Sequence, residues 1–150
     1  MLCKELEKKN VELYFIPMHI PEDREFLEKM NLEDVKANKI LEDLSLEEIF
    51  ALTGQLDLVV GMRLHALIMA AAQSVPVVAL SYDPKVKAFM ESLKQPHCLD
   101  VMEFDWIDLL DSILTQINNL EEEKENIKTI RKDLMDKVYM PAKMIRKILD

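Results

Sequence analysis

The sequence predicts an α/β protein built on a Rossmann-like doubly wound parallel sheet. Short β-rich apolar runs alternate with segments of helical period, and no internal repeat or low-complexity linker interrupts them. The 150 residues, 49% hydrophobic and 31% charged, suit one domain able to bury roughly two thirds of its unfolded surface. Strands linked by helical crossovers run parallel with right-handed connections, which places helices on both faces of the sheet.

Met1 to Asn10 reads as the tail of a charged helix, and Val11 to Ile16, closed by Pro17, as the first strand. Glu22 to Met30 follows as a helix, and a short strand lies near Ala37 to Leu41. Ser45-Leu46-Glu47-Glu48 offers a capping box for a helix from Leu46 to about Thr53, stopped by Gly54. Leu56 to Val60 is a strand, Arg63 to Gln73 a helix, Pro76 to Ser81 a strand and Pro84 to Leu93 a helix. Leu99 to Val101 makes a short last strand. Trp106, Leu109, Leu110, Ile113, Leu114 and Ile117 recur at helical spacing. The expected division is a domain over residues 1–119 and a helical C-terminal tail over 120–150, broken at Pro141. Such a domain normally opens with a strand, and here the first predicted element is a helix. The reading is of a domain lacking its first, central strand, which leaves two neighbouring strands with unpaired backbone edges.

Composition removes several functions. Glycine occurs only at Gly54 and Gly61, so neither a Walker A loop nor a G-x-G-x-x-G fingerprint can be written. Cys3 and Cys98 form no zinc or disulfide pattern, and no carboxylate or histidine spacing points to a metal. The net charge of −9 argues against nucleic acid and anionic lipid as partners. Leu64 to Leu80, the most apolar stretch, is broken by Gln73, Ser74 and Pro76 and is too short to span a membrane; the N-terminus carries no signal peptide. The expected compartment is the cytoplasm.

In open α/β sheets ligands bind beyond the carboxyl ends of the strands. Three turns there carry chemistry. In Gly61-Met62-Arg63-Leu64-His65, Gly61 lets the backbone approach a ligand, the following helix start offers free N–H groups, and Arg63 can grip phosphate or carboxylate in bidentate fashion. The helix beyond it is apolar on every side except at His65, and is expected to be buried past its first turn. His65 is either a core histidine or a ligand-facing one, and Arg63 either a salt-bridge partner or an anion binder. In Ser81-Tyr82-Asp83-Pro84-Lys85, Asp83 suits an N-cap and Pro84 the first helical position, with Lys85 a point charge for phosphate or a solvated lysine. Lys87 is expected to face solvent. After the first strand, His19 and Asp23 either line the same cleft or, as preferred, leave Asp23 supporting the helix start and His19 exposed. Glu42 and Asp43 occupy a comparable turn.

Gly61-Met62-Arg63-Leu64-His65-Ala66-Leu67, then Ala71, Pro76-Val77 and Ser81-Tyr82-Asp83-Pro84-Lys85-Val86 with Phe89, resembles the C-terminal half of the polysaccharide pyruvyl transferases. The close resemblance covers Leu56 to Phe89. It implies a fold similar to the C-terminal domain of GT-B-type enzymes, and transfer of the pyruvyl group of phosphoenolpyruvate onto two hydroxyls of a sugar, giving a ketal in cell-wall polysaccharide synthesis. It also implies a lipid-linked amino-sugar acceptor, an N-terminal half facing the cleft, and no cofactor beyond the donor substrate. His65 then takes the catalytic role, Arg63, Lys85 and Gly61 bind phosphoenolpyruvate, and His19 and Tyr82 line the cleft. Two other readings remain: a GT-B-type glycosyltransferase using a nucleotide sugar, and a non-catalytic interaction module.

Overall fold

The computed structural model describes residues 1–30, 35, 38–41 and 43–133. Its elements follow the predicted order: α1 (Leu2–Lys8), β1 (Leu13–Phe15), α2 (Glu22–Lys29), β2 (Asn38–Ile40), α3 (Leu46–Thr53), β3 (Val59–Gly61), α4 (Leu64–Ala72), β4 (Val77–Ser81), α5 (Pro84–Ser92), β5 (Cys98–Asp100) and α6 (Trp106–Asn118). Residues 120–133 form a further helix, α7. The predicted break at Pro141 and the rest of the tail lie outside the described residues, as does Ala37.

Every strand pairing is parallel, as crossover connections require. The sheet is divided into two small ones, in keeping with the expected lack of a central strand: β1 pairs with β2, and β3, β4 and β5 pair in that order. No described strand joins β1 to β3.

β4 organises the larger sheet. Its apolar run Val77-Val78-Ala79 is wholly buried, and alternation along a strand sends successive side chains to opposite faces. Val77 and Ala79 join Leu67, Ala70, Ala71, Val86, Met90 and Leu93 of the α4 and α5 layer. Val78 joins Leu6, Leu109 and Ile113 of the α1 and α6 layer. Helices therefore cover both faces, the doubly wound arrangement. Ile127 of α7 is fully buried in the first cluster. A buried polar chain ties α7 and α6 to the end of α5: Gln116 donates to Gln95 (3.2 Å), and Gln95 donates to Glu123 (3.0 Å).

The helix starts are specified locally. Ser45 and Glu48 form the predicted capping box, with Glu48 N–H donating to Ser45 Oγ and Ser45 N–H to the Glu48 carboxylate. Asp83 accepts the Lys85 N–H ahead of Pro84, as predicted. Asp105 and Asp108 make a second capping box that opens α6.

The helix ends are less obvious in sequence. α1, α4 and α5 each close in a Schellman motif: the N–H groups of Val11, Val75 and Gln95 reach the carbonyls of Leu6, Ala70 and Met90. The left-handed residue in each is Asn10, Ser74 or Lys94, with φ of 59°, 62° and 52°. A side chain in that conformation costs roughly 1–2 kcal/mol, which glycine avoids. Lys94→Gly and Ser74→Gly are each expected to stabilise the protein by about 0.5–1 kcal/mol in urea denaturation, and Asn10→Gly by much less, because asparagine tolerates this conformation.

Candidate functional site

Pairing of β3 with β4 sets two strand-to-helix turns side by side at the carboxyl edge of the sheet. The turn after β3 runs through Arg63, the N-cap of α4, and that after β4 runs through Asp83, the N-cap of α5. His65 and Lys85 hold the same position, the second residue of each helix, and both helices pack on the same face of β4. Both side chains are exposed and have no polar partner among the described residues.

The two helix starts differ electrically. Asp83 already satisfies N–H at the start of α5, whereas α4 has no side-chain cap and carries a cation, Arg63, at its positive dipole end. The N–H groups of Ala66 and Leu67 turn back to the Arg63 carbonyl. The start of α4 is therefore a concentration of positive charge in a chain whose formal net charge is −9.

Arg63 is half-buried and partnered. Its Nη2 lies 2.7 Å from Asp23 Oδ1, while Asp23 Oδ2 accepts the N–H groups of Met18 (3.0 Å) and His19 (2.9 Å). Asp23 thus holds the turn ahead of α2, whose start takes no side-chain cap, and ties the turn after β1 to the turn after β3. Burial would raise the Asp23 carboxyl, but the Arg63 guanidinium and the two backbone donors together hold it below the usual aspartate range. Asp23 in turn raises the Arg63 pKa against the opposing effect of burial, with Tyr82 adding a smaller contribution in the same direction. Arg63 Nε, shielded from solvent, has no hydrogen-bond partner among the described residues.

Tyr82 is 54% exposed on the adjoining turn. His19 is exposed too, its Nδ1 2.7 Å from Glu22 Oε2. Arg63, Asp23, Tyr82, His19 and Glu22 accordingly form one polar group at the ends of β1, β3 and β4, with His65 and Lys85 at the helix starts beside it. Gly61 adopts no left-handed conformation, and an added Cβ would meet Leu67 and Ala66 of α4 at ordinary contact distances of 3.5 and 3.8 Å.

One expectation needs correction. α4 is not buried on every side beyond its first turn: Leu67, Ala70 and Ala71 are buried, but Ile68 is 43% exposed and Ala72 is also exposed, so a stripe continues from His65 along an open face. Lys87 is exposed, as expected, and lines a cavity of about 350 Å³ with Ser81, Cys98, Leu99, Asp100, Glu103 and Phe104. That cavity lies at the ends of β4 and β5, and none of the sequence-predicted site residues lines it. Asp43 pairs with Arg24 at 3.4 Å, while Glu42 lies outside the described residues. Among the described residues no helix is long and apolar enough to cross a membrane.

The ionised Asp23 contributes stability that is complete above its unfolded pKa of about 3.9 and is lost as the pH falls through its lower folded value. Asp23→Asn is expected to cost about 0.5–1 kcal/mol at pH 7, the pair being partly exposed. The gap narrows below about pH 4, because acid destabilises the parent more than the variant. Urea denaturation at pH 7 and pH 3 measures both; a gap that does not change would show that the ion pair contributes nothing.

No curated protein and no solved structure gives a significant match to the chain. Residues 1–84 do match a family model, that of polysaccharide pyruvyl transferase. The matched span contains His19, Asp23, Gly61, Arg63, His65 and Tyr82 and ends one residue before Lys85. It covers 84 of 150 residues, and the chain belongs to the polysaccharide pyruvyl transferase family, a family of transferases.

Proposed function

We propose that this chain carries the donor-binding region of a pyruvyltransferase that uses phosphoenolpyruvate. The observation that supports this most directly is the uncapped start of α4, where Arg63 precedes His65, which has no polar partner among the described residues, while Lys85 holds the equivalent position at the start of the neighbouring α5. Phosphoenolpyruvate bears a carboxylate and a phosphate. Free N–H groups, a guanidinium and an ammonium on neighbouring turns suit two anionic groups on one small molecule.

In this reading Arg63 and Lys85 hold the donor and stabilise charge on the departing phosphate. His65 gives a proton to the methylene carbon, which becomes a methyl group, and C2 becomes electrophilic. A sugar hydroxyl bonds to C2 and loses its proton, and a second hydroxyl does the same as the C2–O bond to phosphate breaks. The products are a ketal and inorganic phosphate. Tyr82 and His19 line the cleft, and Gly61 forms the turn beneath the donor. The acceptor is a lipid-linked amino sugar of cell-wall polysaccharide synthesis, held by a second, N-terminal lobe across the crevice, and the reaction runs in the cytoplasm.

Thermal denaturation with ligands tests the donor. Phosphoenolpyruvate at a hundred times its Kd is expected to stabilise the chain by about 2.7 kcal/mol, and uridine diphosphate not at all. Lys85→Ala should weaken phosphoenolpyruvate binding about tenfold or more, as expected for loss of a charge-assisted contact. His65→Ala should bind normally yet lower acceptor-dependent phosphate release by 10²–10⁴, the range of general acid catalysis. Stabilisation by the nucleotide alone would overturn the proposal in favour of a nucleotide-sugar glycosyltransferase.

A further inference from the structure

Of the three cationic side chains at the site, Arg63 alone is held in place. Its Nη2 lies 2.7 Å from Asp23 Oδ1, whereas the His65 and Lys85 side chains are exposed without a polar partner among the described residues. The acceptor is itself fixed. Asp23 Oδ2 takes the N–H groups of Met18 at 3.0 Å and His19 at 2.9 Å, so the carboxylate is moored to the backbone of the turn after β1 and not to another mobile side chain. Asp23 and Arg63 side chains are 22% and 33% exposed, which limits competition by water for the contact. Burial would raise the Asp23 carboxyl, but Arg63 and the two N–H groups hold it below the usual aspartate range, so the acceptor stays charged at neutral pH.

Aim matters more for a guanidinium than for an ammonium. Its donors lie in a planar fork, and the fork must be turned correctly to give two of them to a carboxylate or to a pair of phosphate oxygens. A free arginine side chain loses rotamer freedom when a ligand orders it; here folding has already done so. The Asp23 contact engages Nη2 through a single oxygen, which leaves further N–H groups of the fork for a second anion.

We propose that Asp23 is a positioning residue of the donor site: it fixes the fork of Arg63 for one anionic group of phosphoenolpyruvate. It does so from the turn after β1, in the other sheet, so the placement of β1 relative to β3 enters the shape of the site. This inference rests on the phosphoenolpyruvate reading and deepens it. The arrangement has a cost, because a carboxylate beside an anion site repels every anion. Charge and aim therefore act in opposite directions when Asp23 is replaced.

Calorimetric titration of the full chain with phosphoenolpyruvate and, separately, with inorganic phosphate distinguishes them. Loss of the charge acts on both ligands. Loss of aim acts mainly on phosphoenolpyruvate, which must seat two anionic groups at once, whereas the small tetrahedral ion accepts donors from any side. In Asp23→Asn the ratio of the phosphoenolpyruvate Kd to the phosphate Kd is expected to rise on the order of fivefold. In an Arg63→Gln background the same substitution should leave the ratio where Arg63→Gln alone sets it. A ratio unchanged by Asp23→Asn, in a parent that binds phosphoenolpyruvate, overturns the positioning role and leaves the donor reading standing. An equal rise in the Arg63→Gln background overturns it too, since Asp23 would then act by another route. A parent that does not bind phosphoenolpyruvate overturns the donor reading and this inference together. Should Asp23→Asn fail to fold, Asp23→Glu keeps the charge and lengthens the arm by a methylene. That variant is expected to raise the ratio in the same sense, and an unchanged ratio there overturns the proposal.

Discussion

Burial of β4 on both of its faces is the constraint on which the remaining structure depends. Val77 and Ala79 look one way and Val78 the other, so a single five-residue strand divides the apolar residues into two clusters and gives each helix layer its floor. Once β4 is fixed, its pairing with β3 and β5 is parallel, and the turns that follow these strands all emerge at one edge. The candidate site is a consequence of that edge. Arg63, His65, Tyr82 and Lys85 come from two turns brought together by one strand pair.

The number and kind of elements were legible because strand and helix periods differ, and the changes of period in this chain are sharp. Ser45, Asp83 and Pro84 marked helix starts because capping is a local matter of one side chain and the next few N–H groups. The left-handed helix ends at Asn10, Ser74 and Lys94 were not legible, since the usual signal is glycine and none stands there. The division into two sheets agrees instead with the expectation of a missing central strand, which leaves two neighbouring strands with unpaired edges. Periodicity identifies a strand without naming its neighbours, and pairing is settled by what lies on each edge.

For the candidate site, sequence reading singled out Arg63, His65 and Lys85 but not the grip of Asp23 on Arg63. The two residues are forty positions apart, and only the placement of the β1 and β3 turns brings them to 2.7 Å. The open stripe from His65 through Ile68 to Ala72 escaped for a related reason. An all-apolar helix reads as buried, yet composition cannot say which of its sides another layer covers. Family resemblance and geometry therefore contribute different things: the first drew attention to the residue types, and the second shows that Arg63 already has an anionic neighbour with which any incoming anion must share it.

The uncapped start of α4 has a mechanical consequence. α3, α5 and α6 each begin with their own oxygen acceptor, in Ser45, Asp83 and Asp105. An anion seated against α4 would serve as the acceptor that the sequence withholds there. Occupancy would then tighten the first turn of the helix that presents His65, and the guest would become a structural member of the wall that holds it.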